Sequence, residues 1–196
     1  MVTVLEIIHY PHPTLRHKSK PIRRVDNKLR EIVAEMFELM YRARGIGLAA
    51  NQVDLPLQLF IINTSGDPKS GDELVFLNPV ISNPKGKGDA EEGCLSIPGV
   101  NGHVNRPAGI TVQAYDLSGN EIEIKATGLL ARAIQHEFDH LNGVLFIDRI
   151  SDSEKKQIAG ELDEFDLDFH GLRKSGKIPS DDDIRDRLAN IENDYC

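Results

Sequence analysis

The chain reads as an α+β protein: antiparallel strands wrapped around a central helix, with an additional C-terminal helix. Three observations predict this. Leu57–Ile62 and Leu74–Leu77 are strand-like runs, and Ile110–Tyr115 and Glu121–Ile124 alternate around Ser118-Gly119-Asn120 as a β-hairpin does. Directly after that hairpin, Leu129, Leu130, Ala133, Ile134, Phe138 and Leu141 cover much of a helix circumference, the pattern of a helix buried on several sides. Near the end, Ser180 with Asp183 three residues on marks a helix start, and Ile184, Leu188 and Ile191 form its apolar stripe.

Taken in order, Ile7-Ile8-His9-Tyr10-Pro11-His12-Pro13 is an extended opening broken by two prolines, and its histidines read as solvated rather than as ligands. Asp26 caps an amphipathic helix whose stripe is Leu29, Ile32, Val33, Met36, Phe37 and Met40. The next stretch, Gly45-Ile46-Gly47-Leu48-Ala49-Ala50-Asn51-Gln52, has two glycines that permit unusual backbone angles or close approach of another chain, or that simply stop the preceding helix. It lacks the lysine and hydroxyl residue of a phosphate loop. Asn51 and Gln52 are its side chains suited to buried hydrogen bonds. Thr64–Gly71 is a turn-rich, solvent-facing loop between the first two strands, and Glu91–Gly99 lies between the strand pairs. Thr127 is the N-cap of the central helix and Gly143 its stop.

Composition narrows the partners. With 196 residues, 40% hydrophobic and 28% charged, the expectation is one domain over 1–160 and an acidic tail with a short helix over 161–196. No apolar run approaches the roughly eighteen residues of a membrane span. The segment Met1-Val2-Thr3-Val4-Leu5-Glu6 lacks the basic start and long apolar centre of a leader, so a cytoplasmic protein without a membrane partner is expected. The net charge is −8, and from Glu161 onward there are eleven acidic and five basic residues, a net of −6. That balance argues against a specific nucleic-acid partner, whose phosphates call for clustered Lys and Arg. Two cysteines, Cys94 and Cys196, are too few for a disulfide framework, which leaves Cys94 free to bind metal.

The chemistry concentrates in Gln135-His136-Glu137-Phe138-Asp139-His140-Leu141. Histidines four residues apart on a helix are separated by about 400° of rotation, so both imidazoles leave one face and can clamp one metal ion. In an H-E-x-x-H pattern, Glu137 stands beside the metal's open position as a proton acceptor. A catalytic site of this kind needs a third ligand. Cys94, 42 residues ahead of His136, is the natural candidate; Asp148 and Glu161 compete from downstream, where many metalloproteases find theirs.

Taken together, Gly45–Gln52, Glu92-Gly93-Cys94-Leu95-Ser96 and Gln135–His140 resemble, in order and spacing, the three motifs of type I-like bacterial peptide deformylases, over roughly residues 5–150. The resemblance implies a catalytic domain over 1–160 that removes the N-formyl group from the initiator methionine of newly made polypeptides and releases formate. It assigns Cys94, His136 and His140 as metal ligands, Glu137 as general base, and the Gln52 side chain with the Leu95 backbone N–H as oxyanion donors. Ile46, Gly47 and Gly93 would pair with an extended N-formylmethionyl peptide, and Ile46, Leu129 and Ala133 would touch the methionine side chain. Arg132 lies beside that pocket, either snorkelling outward or reaching substrate. The implied physiological ion is Fe2+, with Zn2+, Ni2+ or Co2+ as substitutes in purified protein. Asp139 is expected either to orient a ligand or to pair with an arginine such as Arg106. Ribosome contact, which some relatives make through a basic C-terminal helix, is doubtful for an acidic tail. Two rivals remain: a zinc endopeptidase, with its third ligand downstream, and a non-catalytic metal-stabilised fold, which would need neither Glu137 nor Gln52.

Overall fold

The computed structural model describes residues 5–196. Residues 1–4, which begin both the expected catalytic domain and the segment read for a leader, lie outside the described residues. Asp26 accepts from the Leu29 N–H and starts helix α1, Asn27–Arg42, as expected. The helix ends with Arg44 in the left-handed region (φ 58), while the Gly45 N–H reaches back to the Met40 carbonyl at 2.9 Å. The glycines that follow are therefore not the helix stop.

Strands β1 (Gly47–Ala49), β2 (Leu59–Ile62), β3 (Leu74–Lys85), β6 (Gly109–Tyr115) and β7 (Glu121–Thr127) form a five-stranded sheet in the order β1-β2-β3-β6-β7, antiparallel throughout. Strands β4 (Gly88–Cys94) and β5 (Ile97–Arg106) form a separate antiparallel pair. The period of two along β2 divides the core: Leu59 and Ile61 pack with α1 residues such as Val33 and Met36, whereas Phe60 and Ile62 face Ala131, Ile134 and Leu141. Those last three lie on α2, Gly128–Leu141, the helix that carries both histidines. Its other side meets β4 and β5. A third apolar cluster joins Ile97, Val100 and Val104 of β5 to Leu145, Phe146 and Ile150, just beyond α2. Helix α2 is thus held between two sheets, a setting that fixes its polar side chains in place.

Thr127 does stand at the N-cap of α2, but its hydroxyl makes no capping bond; Gly128, at φ 58, turns the chain from β7 into the helix. Gly143, at φ 71, follows the helix end. The β4–β5 pair was not foreseen, because Gly88-Asp89-Ala90-Glu91-Glu92-Gly93-Cys94 carries little apolar signal. Beyond α2 come a short helix α3 (Asp152–Gln157), then α4 (Ala159–Lys174) and the expected α5 (Asp181–Tyr195) with its Ser180–Asp183 capping box. Helix α4 crosses the expected boundary at 160. Its start is unmarked in sequence, since Ile158 at its N-cap offers no side-chain acceptor. The α5 stripe docks on the domain: Ile184, Leu188 and Tyr195 are buried, and the Tyr195 carbonyl accepts from the Arg23 N–H at 2.8 Å. His12 also departs from expectation, for it is buried, with its Nδ1 accepting from the Thr14 N–H at 3.3 Å.

Candidate metal centre

Helix α2 presents His136 and His140 on one face, their rings 5.0 Å apart, and the β4–β5 turn brings Cys94 against them. The ligand atoms of Cys94, His136 and His140 all lie within 4.8 Å of one another. Cys94 Sγ is 3.3 Å from His140 Nε2. A tetrahedral ion with metal–sulfur and metal–nitrogen bonds of about 2.3 and 2.05 Å would set that separation at roughly 3.5 Å. The observed spacing fits one shared ion. The surroundings favour positive charge as well: burial alone would lower the His136 pKa, but Cys94 and Glu92 beside it override this and push it up to about 10. Burial and the neighbouring His136 hold His140 well below its ordinary value, as a neutral ligand requires. Neither downstream competitor is near. Asp148 is held by Arg16 at 2.5 Å and by the Leu145 N–H at 2.8 Å, and Glu161 stands exposed on α4.

The residues around this trio are tightly specified. His136 Nδ1 donates to Glu92 Oε2 at 3.0 Å, which directs the other ring nitrogen to the ligand set. Glu92 is a hub, accepting also from Arg106 at 2.7 and 2.8 Å and from Arg132 at 2.6 Å. Arg106 continues to Asp139 at 2.7 Å, the pairing expected, and Arg149 closes on the same carboxylate. Arg132 therefore turns towards Glu92 and the carbonyls of Gly88 and Val104. Asn51 donates to the His140 carbonyl, so the turn before β2 is tied to the metal helix.

Gln52 is almost wholly buried in the 3-10 turn Ala50–Val53. Its Oε1 accepts from the Ala49 N–H at 2.8 Å, which fixes the amide so that Nε2 faces Cys94 Sγ at 3.4 Å and Ser96 Oγ at 3.2 Å. The N-terminal segment stitches the two sides together, Ile8 donating to the Gln52 carbonyl and Tyr10 to the Ser96 carbonyl, each at 2.9 Å. Glu137 is buried, and its Oε2 finds no partner among the described residues. Burial pushes its pKa up to about 7, against the opposing pull of His136 and Arg106. Gly47 lies so close that a Cβ there would sit 2.5 Å from Glu137 Oε1.

A cleft of about 660 Å³ opens over these groups. Ile46, Gly47, Gln52, Gly93, Cys94, Leu95, Leu129, Ala133, His136 and Glu137 all line it; His140 lies buried behind. The cleft runs between β1, an edge of the five-stranded sheet, and β4. Sequence reasoning gave no role to Glu92 or Ser96. For Glu92 the signal was ambiguous, since Glu91 and Glu92 are adjacent and alternation alone cannot say which faces inward.

Three converging ligand-type side chains, an accessible side and a buried carboxylate next to it fit a metal-dependent hydrolase, because a structural ion would be closed off by a fourth ligand. Comparison with known proteins agrees and narrows the class. The polypeptide deformylase family profile matches residues 4–156. A peptide deformylase of Rhodopirellula baltica is 47% identical over 191 residues, 97% of this chain and 95% of that protein. One from Nitrosococcus oceani is 45% identical over 163 residues, 83% of this chain and 96% of its own length. Among solved structures, a plant peptide deformylase PDF1B superposes with a TM-score of 0.85 at 41% identity, covering 92% of this chain and 97% of that one. A peptide deformylase from Legionella pneumophila gives 0.78 at 38% identity, covering 90% and 100%. The chain belongs to the polypeptide deformylase family. No described helix is long and apolar enough to cross a membrane.

Proposed function

We propose that this chain removes the N-formyl group from the initiator methionine of newly made polypeptides, releasing formate, with Glu137 as the proton carrier. The observation that carries the reading is a buried carboxylate, Glu137, beside a trio of ligand-type side chains at the floor of a cleft. Cys94, His136 and His140 would hold the ion; a divalent metal there supplies Lewis acidity that lowers the pKa of water from 15.7 to about 7. Fe2+ is the expected resident ion, and the same soft and borderline donors accept Zn2+, Ni2+ or Co2+.

The remaining work falls to the chain. Glu137 takes the proton of the attacking water on its carboxylate and later passes it to the leaving nitrogen. Gln52 Nε2 and the Leu95 backbone N–H donate to the oxyanion that develops on the formyl oxygen. The Ala49 N–H holds the Gln52 amide through Oε1, so Nε2 already faces the site, and one of its two donors leaves Cys94 Sγ or Ser96 Oγ as that charge forms. The peptide adds as a strand between Ile46–Gly47 and Gly93, while its methionine side chain enters the apolar wall of Ile46, Leu129 and Ala133. Main-chain pairing of this kind tolerates many following residues.

The test is formate release from a short formyl-methionyl peptide by protein prepared anaerobically with Fe2+, alongside Glu137→Gln and Cys94→Ala. Glu137→Gln is expected to keep its metal and lose about 10²- to 10⁴-fold in kcat. Cys94→Ala is expected to lose metal and activity together. No formate from fully metallated parent protein, or full activity in Cys94→Ala, would move the assignment to a peptidase or a peptide-binding protein.

A further inference from the structure

The C-terminal helices lie beyond the stretch that the family profile matches, yet one of their side chains reaches the turn that carries Gln52. That turn, Ala50–Val53, closes through Asp54, which adopts the left-handed conformation at φ 65 while its N–H bonds the Asn51 carbonyl at 3.2 Å. Aspartate is one of the few residues with a Cβ that visit this conformation, and here its side chain is also held from two sides. Both carboxylate oxygens of Asp54 are anchored: Oδ1 accepts from Thr14 Oγ1 at 2.5 Å, and Oδ2 is paired with the guanidinium of Arg187 on α5. The Asp54 side chain is only 15% exposed. Arg187 is itself held in place, because Ile184 and Leu188 on either side of it are buried, Glu192 pairs with His17 at 2.7 Å, and Arg173 of α4 binds Asp181 at 2.6 Å. Thr14 is fixed by the buried His12, which packs edge-on to Phe169 of α4.

We propose that the C-terminal helix pair is a positioning element for catalysis, with Arg187 acting through Asp54 to hold the turn that aims Gln52. The inference rests on the reading of Gln52 as an oxyanion donor. Arg187 touches no substrate, and its effect is transmitted through two bonds and a backbone turn. Asn51, in the same turn, donates to the His140 carbonyl, so the strut braces the Gln52 side of the site against the metal helix.

The test is a double-mutant cycle on Fe2+-loaded protein with quantified metal, assayed at a temperature where circular dichroism shows every variant folded. Arg187→Ala is expected to lower kcat about five- to tenfold, with KM and metal content unchanged. Arg187→Lys keeps a cation within reach of Asp54 and should recover most of the loss. Gln52→Ala alone should cost about 10²- to 10³-fold, and adding Arg187→Ala to it should cost less than about twofold more. If Arg187→Ala leaves kcat at the parent value, or lowers it by the same factor in the Gln52→Ala background, the strut is refuted while the oxyanion reading stands. Parent-like kcat in Gln52→Ala would refute the oxyanion reading itself, and the strut with it.

Discussion

Glu92 shows how much a single buried charge organises here. Burial alone would raise its pKa, but hydrogen bonds from Arg106 and His136 hold it far below the ordinary value of 4.5. Its folded pKa is depressed, so the stability it contributes is fully present above about pH 4.5 and is lost as the pH falls towards the folded value. Glu92→Gln leaves Arg106 with one carboxylate partner fewer in a buried site. The expected cost is about 3 kcal/mol, or roughly 6–12 °C in melting temperature. Thermal melts should show that gap at neutral pH and a smaller one near pH 3; a constant gap would contradict the linkage. Gly47 is the opposite case, a residue defined by what it lacks. A Cβ there would meet Glu137 Oε1 at 2.5 Å, so Gly47→Ala should displace the carboxylate and lower kcat about 10²-fold. Metal content should be unchanged, which separates displacement of Glu137 from loss of the metal.

At the scale of elements, those with local punctuation were legible and those without were not. Asp26 and its stripe announce α1, Ser118-Gly119-Asn120 announces the β6–β7 hairpin, and the Ser180 box announces α5. The β4–β5 pair has its apolar register only on β5, where Val100, Gly102, Val104 and Arg106 alternate inward. Its partner strand is stabilised by pairing and by Glu92, neither of which is a local signal. Helix α4 has one buried residue, Phe169, and no side-chain cap, so nothing in its own sequence marks its start. The cap of α5 can be tested by itself. Ser180→Ala removes the acceptor for the Asp183 N–H and is expected to cost about 1 kcal/mol, a fall of roughly 2–4 °C on a calorimetric scan.

For the whole molecule, the metal couples chemistry to stability. If Cys94, His136 and His140 hold the ion as proposed, it joins α2 to the β4–β5 turn and should stabilise the folded state by mass action. Stripping with a chelator under anaerobic conditions is expected to abolish formate release. It should also lower the melting temperature by roughly 8–16 °C, taking about 4 kcal/mol for a site at a thousandfold excess over its Kd. Restoring Fe2+ should return both; recovery of activity without recovery of the melting temperature would mean that the ion does not bridge the helix and the turn.

By itself the sequence determined the class of fold and pointed to a candidate metal site. Histidines four apart on a helix converge for geometric reasons, glutamate beside the first is placed to carry protons, and alternating runs separated by glycine turns must pair as hairpins. Cys94 and Gln52 were legible as candidates because each stands in a motif of fixed spacing. What only the tertiary structure decided is what lies between those motifs: that Arg132 turns to Glu92, that Glu92 orients His136, that His12 is buried, and that α5 reaches Asp54. Periodicity encodes which face of an element is apolar. It carries no information about which charged group from a distant element will meet a buried one, since that depends on how the layers pack.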